Sequence, residues 1–167
     1  GAFYKNKDVA VVGGGNTAVE DAIYLADIAK RVYVILRGDK FRADLSLVNQ
    51  LKQKKNIKII YNSNVSKLNS NDKLESIEII DNNNKKRKIK VSGLFVAIGR
   101  IPMVDNFSNI IDIDKLGYIK AFEDCHTNID GIYVAGDVRS KDLRQLVTAV
   151  SDGAVAVNEA LKYITTK

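Results

Sequence analysis

Short apolar runs closed by glycine or charge alternate with stretches of helical spacing through the first third of the chain. Asp8–Val12 (DVAVV) is one such run, ended by Gly13, Gly14 and Gly15. Glycine on one side and charge on the other predict a buried parallel strand. From Thr17 the spacing turns helical, with Ala18, Ala22, Leu25, Ala26 and Ala29 near one face. Asn16 and Thr17 each carry a side-chain oxygen suited to cap the first turn. Val32–Leu36 (VYVIL) predicts a second strand. Strand, helix and strand within about 30 residues make a βαβ unit with a right-handed crossover. A helix over Asp44–Lys54, with Leu47, Val48 and Leu51 inward, and a strand at Ile57–Tyr61 follow.

Beyond Tyr61 the texture changes. Val65–Asn69, Leu74–Ile80 and Arg87–Val91 alternate apolar and polar residues, as half-exposed antiparallel strands do. The polar tract from Asp81 to Lys86 predicts a hairpin tip. At Gly93 the pattern changes again: Leu94–Ile98 (LFVAI) is apolar throughout and stops at Gly99. After an irregular stretch, a second buried strand is predicted at Ile132–Ala135, running into Gly136 and Asp137. A closing helix over Leu143–Tyr163 carries Leu146, Val147, Val150, Ala154, Val155, Ala160 and Leu161. Strand character and charge both switch near Val91–Gly93, which predicts one domain over residues 1–92 and another over 93–167.

Composition narrows the class. Of 167 residues, 46% are apolar and 28% charged, with 11 Gly and 1 Pro, a globular balance. No apolar run approaches the roughly 18 residues that span a bilayer, so no membrane association is expected. The opening GAFYKNK has no signal-peptide core, which makes the cytoplasm the expected compartment. Cys125 and His126 are the only residues of their kinds, so no internal disulfide and no two-histidine or cysteine metal site is expected. The only methionine is Met103 while the chain begins at Gly1, as expected of a processed chain or an excerpt. Residues 1–92 carry 18 basic and 10 acidic side chains, and residues 93–167 carry 8 and 10. A basic first half suits an anionic partner. Nucleic acid is not the expected one, because the basic residues match no reader motif and are not interleaved with aromatics.

The strongest local signal is Gly13-Gly14-Gly15-Asn16-Thr17-Ala18, a G-x-G-x-x-A between predicted strand and helix. Gly13 permits the tight turn, Gly15 lets backbone approach a pyrophosphate, and the small Ala18 lets helix close on strand. The helix N-terminus then offers N–H groups and partial positive charge to the phosphates. Which dinucleotide binds is read at the end of the second strand. No carboxylate closes that strand; Arg37 does, followed by Asp39, Lys40 and Arg42. Guanidinium groups match a ribose 2′-phosphate, so NADPH is preferred over NADH. Gly136-Asp137, at the end of a predicted strand, offers a carboxylate where open α/β folds bind ligands. Such a carboxylate can accept hydrogen bonds from the ribityl hydroxyls of a flavin, or serve only as a turn. Arg144 and Gln145 would lie near the same ligand.

Taken in order, GAFYKNKDVAVVGGGNTAVEDAIYLA, RGDKFRA, LFVAIGRIP and TNIDGIYVAGDVRSKDLRQLVTAVSDGAVAV closely resemble low-molecular-weight bacterial thioredoxin reductases, a group of the pyridine nucleotide-disulfide oxidoreductases, through essentially the whole chain. The resemblance implies a Rossmann-like α/β NADPH-binding domain followed by the C-terminal portion of an FAD-binding domain. By matching position, Gly15, Asn16, Thr17 and Ala18 would meet the NADPH pyrophosphate side, and Arg37 and Arg42 the 2′-phosphate. Gly99 and Arg100 would lie beside the nicotinamide nucleotide, and Asp137, Val138, Arg144, Gln145 and Leu146 would contact FAD. Three departures stand out. The family's consecutive arginine pair is here Arg37-Gly38. Its redox-active Cys-x-x-Cys and its N-terminal FAD segment would both lie upstream of Gly1, where a first strand of the NADPH-domain sheet is also expected. Cys125 has no partner thiol and is expected to be structural. The implied parent is a homodimeric thioredoxin-disulfide reductase moving electrons from NADPH through FAD to a dithiol and then to thioredoxin. This chain would bind nucleotide yet be inactive alone. The alternatives are a related reductase using ferredoxin as donor or a peroxiredoxin as acceptor, and a non-catalytic nucleotide-binding module.

Overall fold

A computed structural model describes residues 1–166, which form two compact units, one ending at Gly99 and one beginning at Arg100. The first unit contains β1 (Asp8–Val12), α1 (Asn16–Ala26), β2 (Arg31–Ile35), α2 (Leu45–Gln53) and β3 (Ile57–Ile60). It continues with β4 (Ser63–Ser70), β5 (Leu74–Asp81), β6 (Lys86–Lys90) and β7 (Gly93–Val96). A parallel sheet runs in the order β3-β2-β1-β7, and β4-β5-β6 form an antiparallel sheet.

Both faces of β1 are covered, which is why DVAVV reads as a continuous apolar run. Val9 and Val11 point to the helical side and pack with Ala18, Val19, Ala22 and Leu25 of α1 and Leu51 of α2. Ala10 points the other way, with Ile35 and Ile60, onto Ile77 and Ile79 of the antiparallel sheet. Strand β6 is an outer edge of that sheet, and its exposed Lys86, Arg87, Lys88 and Lys90 discourage pairing with another strand.

Three expectations are corrected here. The first unit does not stop at residue 92: β7 lies parallel beside β1, with Ser92 N donating to Asp8 O and Ala97 N to Val12 O, each at 2.8 Å. The open edge of β1 needs a hydrogen-bonding neighbour, and Gly93–Val96 supplies it. Neither Asn16 nor Thr17 caps α1. The N-cap is Gly15, without a side-chain bond, because the Asn16 amide is engaged by Asp44: its Nδ2 donates to Asp44 Oδ2 and its Oδ1 accepts from Asp44 N, each at 2.9 Å. Ile132–Ala135 is not a strand. Its only sheet-like contact among the described residues is an isolated antiparallel bridge between His126 and Tyr133, too short a partner to extend a ladder.

The second unit is built around Val104, Ile111, Ile119 and Val134, with Ile113, Ala121, Ile129 and Val138 packed against them. A short 3₁₀ turn (Gly136–Val138) precedes α3 (Leu146–Thr165). The helix begins three residues later than its periodicity predicts, because Gln145 is extended (φ −140°) and serves as N-cap. Among the described residues of α3 only Asp152 is buried, while Leu146, Val147, Val150, Val157, Leu161 and Ile164 are exposed.

Candidate functional site

The C-terminal ends of β1, β2 and β7 open onto a cleft of about 620 Å³. The chain runs from β1 outward to β2 and β3 on one side and returns as β7 on the other, so the cleft lies at the switch point of the sheet. Val12, Ile35, Leu94 and Val96 contribute its apolar lining, and Gly13 and Gly14 one wall. Gly13 has φ +145°, and a Cβ there would stand 2.2 Å from Ala97 O and 2.9 Å from Ala18 Cβ. Ala18 is fully buried, so its contribution is the close packing of α1 on β1. A Cβ at Gly15 would meet nothing within 4 Å. That open space lies at the head of α1, where the first-turn N–H groups have no partner within the helix. Asn16 and Thr17 beside it are exposed.

The rim of the cleft carries Arg37, Lys40 and Arg42 with a single carboxylate, Asp39. None of these four side chains makes an ion pair or side-chain hydrogen bond within the described residues. The backbone beneath them is nonetheless tied down. Arg42 N donates to Gly14 O at 2.7 Å, Asn62 N to Gly38 O at 3.0 Å and Ser63 N to Leu36 O at 2.9 Å. The Asn16–Asp44 pair closes the far end, and Phe41 packs edge-on against Tyr61. Three cations without acidic partners on a fixed loop, beside backbone that admits no side chain, fit the charge and shape of a phosphorylated nucleotide. Asn16 thus acts by locking the loop to Asp44, a partner 28 residues away that spacing does not reveal.

In the second unit, Gly136 takes φ +81° and Asp137 is exposed, its carboxylate unpartnered among the described residues. Arg144 Nε donates to Asp137 O at 3.2 Å, and its guanidinium lies 3.7 Å over the Tyr118 ring. Gln145 N donates to Thr148 Oγ1 at 3.0 Å, and Leu146 opens α3 with its side chain exposed. Val138 turns inward to the core, while its carbonyl accepts from Ile119 N. A free carboxylate on a turn with a tethered backbone fits hydroxyl-rich ligands such as a ribityl chain. Gly99 (φ +100°) is exposed at the end of the first unit, and Arg100 is exposed at the start of the second.

The sequence reading missed a buried charge cluster. Asp152 accepts from Arg139 and Lys141, and all three side chains are less than one-tenth exposed. The Arg139 guanidinium holds the Asp152 carboxyl far below the usual carboxylate range, against the opposing cost of burial. The only available signal was a carboxylate in the middle of an otherwise apolar helical face. Cys125 is fully buried with its Sγ 3.5 Å from Asp152 O, and burial pushes its thiol up. His126 packs edge-on against Tyr133 with Nε2 3.6 Å from Glu159 Oε2. Among the described residues no group of three or more His, Cys, Asp or Glu is placed to hold a metal, and no helix is long and apolar enough to cross a membrane.

A parallel sheet with a glycine turn at its switch point defines a Rossmann-like α/β protein. The pattern of the pyridine nucleotide-disulphide oxidoreductases matches residues 2–153, and the chain belongs to that family. It is 44% identical over 98% of its length to the "34.2 kDa protein in rubredoxin operon" of Clostridium pasteurianum, covering 54% of that protein. It is 42% identical over 93% of its length to the thioredoxin reductase of Mycoplasmopsis pulmonis, covering 50% of it. The crystal structure of Lactococcus lactis thioredoxin reductase superposes with a TM-score of 0.83 at 33% identity, over 99% of this chain and 55% of that one. The chain spans about half the length of the curated relatives it matches.

Proposed function

We propose that this chain is the C-terminal half of a thioredoxin reductase, its first unit holding NADPH and its second forming one wall of an FAD site. The observation that carries this reading is the rim of unpaired Arg37, Lys40 and Arg42 around a glycine turn at the switch point of the sheet. When bound, the two cofactors would supply a hydride donor and a two-electron relay toward a dithiol and thioredoxin. Gly13 makes the tight turn and Gly15 leaves room for the pyrophosphate, with Asn16, Thr17 and Ala18 forming the helix end that faces it. Arg37 and Arg42 neutralise the 2′-phosphate. Gly99 and Arg100 flank the nicotinamide nucleotide. Asp137, on the turn that begins at Gly136, accepts hydrogen bonds from the ribityl hydroxyls, with Val138, Arg144, Gln145 and Leu146 completing that wall. Cys125, buried and unpaired, takes no part in thiol exchange. The parent would be a cytoplasmic homodimer.

The experiment is NADPH-dependent thioredoxin reduction by the full reading frame that contains Gly1, beside the 167-residue chain alone. Turnover by the former and none by the latter is expected; turnover by the isolated chain would overturn the proposal. A second reading, a related reductase with a different electron donor, is favoured by one observation. Gly38 stands where the family pattern has a second arginine, and nothing fills that space. Reduction of the flavin by ferredoxin and not by NADPH would select it.

A further inference from the structure

We propose that Asp152 is a positioning residue for the flavin-binding turn, fixing Gly136–Val138 from behind so that Asp137 is presented in a single orientation. The inference rests on the flavin reading above and extends it to a residue that touches no ligand. Asp152 Oδ2 accepts from Gly136 N at 2.9 Å, Arg139 Nε at 3.1 Å and Lys141 Nζ at 2.7 Å, and Oδ1 accepts from Arg139 Nη2 at 3.0 Å. One carboxylate therefore gathers the residue before Asp137 and the cations two and four residues after it. Arg139 extends the brace by donating from Nη1 to Phe122 O at 3.0 Å. Ile119 N donates to Val138 O and Ser140 N to Ile119 O, holding the segment that leaves the turn.

What these bonds leave out is as informative as what they hold. Asp137, at the centre of the turn, keeps its carboxylate exposed and unpartnered among the described residues, while its neighbours are anchored. Gly136 sits at φ +81°, a conformation that a free chain does not hold uniquely, and among the described residues its N–H is fixed only through Asp152. A ligand that meets a preformed turn is spared the ordering cost that a loose one imposes. An asparagine at 152 is uncharged and offers one oxygen where the carboxylate offers two, so its amide N–H groups confront either Arg139 Nη2 or the Gly136 N–H. The brace on the turn is weakened although the side-chain volume is kept.

The test compares Asp152→Asn and Arg139→Lys with Val134→Ala in the FAD-loaded full-length protein. The last of these thins the core on which Val138 packs while removing none of the hydrogen bonds that hold the turn. Flavin dissociation is followed by recovery of FAD fluorescence, and turn mobility by exchange of the Gly136 amide. Asp152→Asn is expected to weaken FAD binding about tenfold or more, Arg139→Lys several-fold, and both to speed Gly136 exchange. Val134→Ala should lower the melting temperature with FAD affinity within about twofold. If Asp152→Asn does not fold, Arg139→Lys decides alone. The proposal is overturned if both turn variants keep wild-type FAD affinity, or if Val134→Ala loses as much as they do. Full-length protein that never binds flavin would instead remove the flavin reading, and this inference with it.

Discussion

Arg37, Lys40 and Arg42 stand around the glycine turn with no acidic partner among the described residues, while Asp39 beside them neutralises none of the three. Hydrogen bonds to a charged group contribute about 1.5–3 kcal/mol each. Arg37→Ala should therefore raise the Kd for NADP⁺ by roughly 10- to 100-fold and leave NAD⁺ unchanged, as titration calorimetry would read. The reverse change is equally open to measurement. A side chain at Gly38 meets nothing within 4 Å and needs no left-handed backbone. Gly38→Arg should accordingly tighten NADP⁺ binding about 3- to 10-fold without loss of stability. Arg37 and Arg42 are readable in the sequence because they follow a recognisable strand. Asp44 is not, since its partner Asn16 lies on the preceding helix and only folding brings amide and carboxylate together.

The βαβ unit rests on the contact between α1 and β1, where Ala18 meets Gly13 with no room for a further carbon. Gly13→Ala places a Cβ 2.2 Å from Ala97 O, in a backbone conformation that side chains disfavour. It should cost about 1–3 kcal/mol or more, read as a lowered midpoint in urea. Gly15→Ala, facing open space, should be far milder for folding and tell instead on nucleotide binding. The helices and antiparallel strands of the first unit are legible because each shows one face to a core and so carries a clean period, whereas β1, covered on both faces, is legible as an apolar run closed by glycine. Ile132–Ala135 is an apolar run of the same kind, yet it finds only one short antiparallel neighbour and forms no ladder. Periodicity reports burial, not the partner that a strand requires.

Acid tests the second unit and salt the first. In the second, Asp152 is held below the ordinary carboxylate range by Arg139, then Lys141 and the Gly136 N–H. A carboxyl depressed on folding stabilises above its unfolded pKa, about 4, and that stability drains away as pH falls below it. The protection factors of the Ile119 and Val134 amides, referred to their intrinsic exchange rates at each pH, should therefore fall below about pH 4. The stability difference between wild type and Asp152→Asn should narrow over the same range as the carboxylate takes up its proton. A narrowing that began above pH 5 would contradict the assignment. In the first unit the cationic rim predicts a different sensitivity. NADP⁺ binding should weaken with added salt more steeply than NAD⁺ binding, because only the former meets the rim with an additional doubly charged phosphate.

Local order was written into the chain: strand, glycine turn, helix and strand follow from apolar spacing and from a glycine, Gly13, that no side chain could replace. The basic residues after β2 follow from simple proximity to that turn. What folding alone settled are the meetings of distant residues. These are β7 beside β1, Asp44 against Asn16, and Asp152 beneath the Gly136 turn. The reason is physical: burial leaves a period in a sequence, whereas a hydrogen bond or ion pair between remote segments leaves none, since its geometry exists only once both segments are in place.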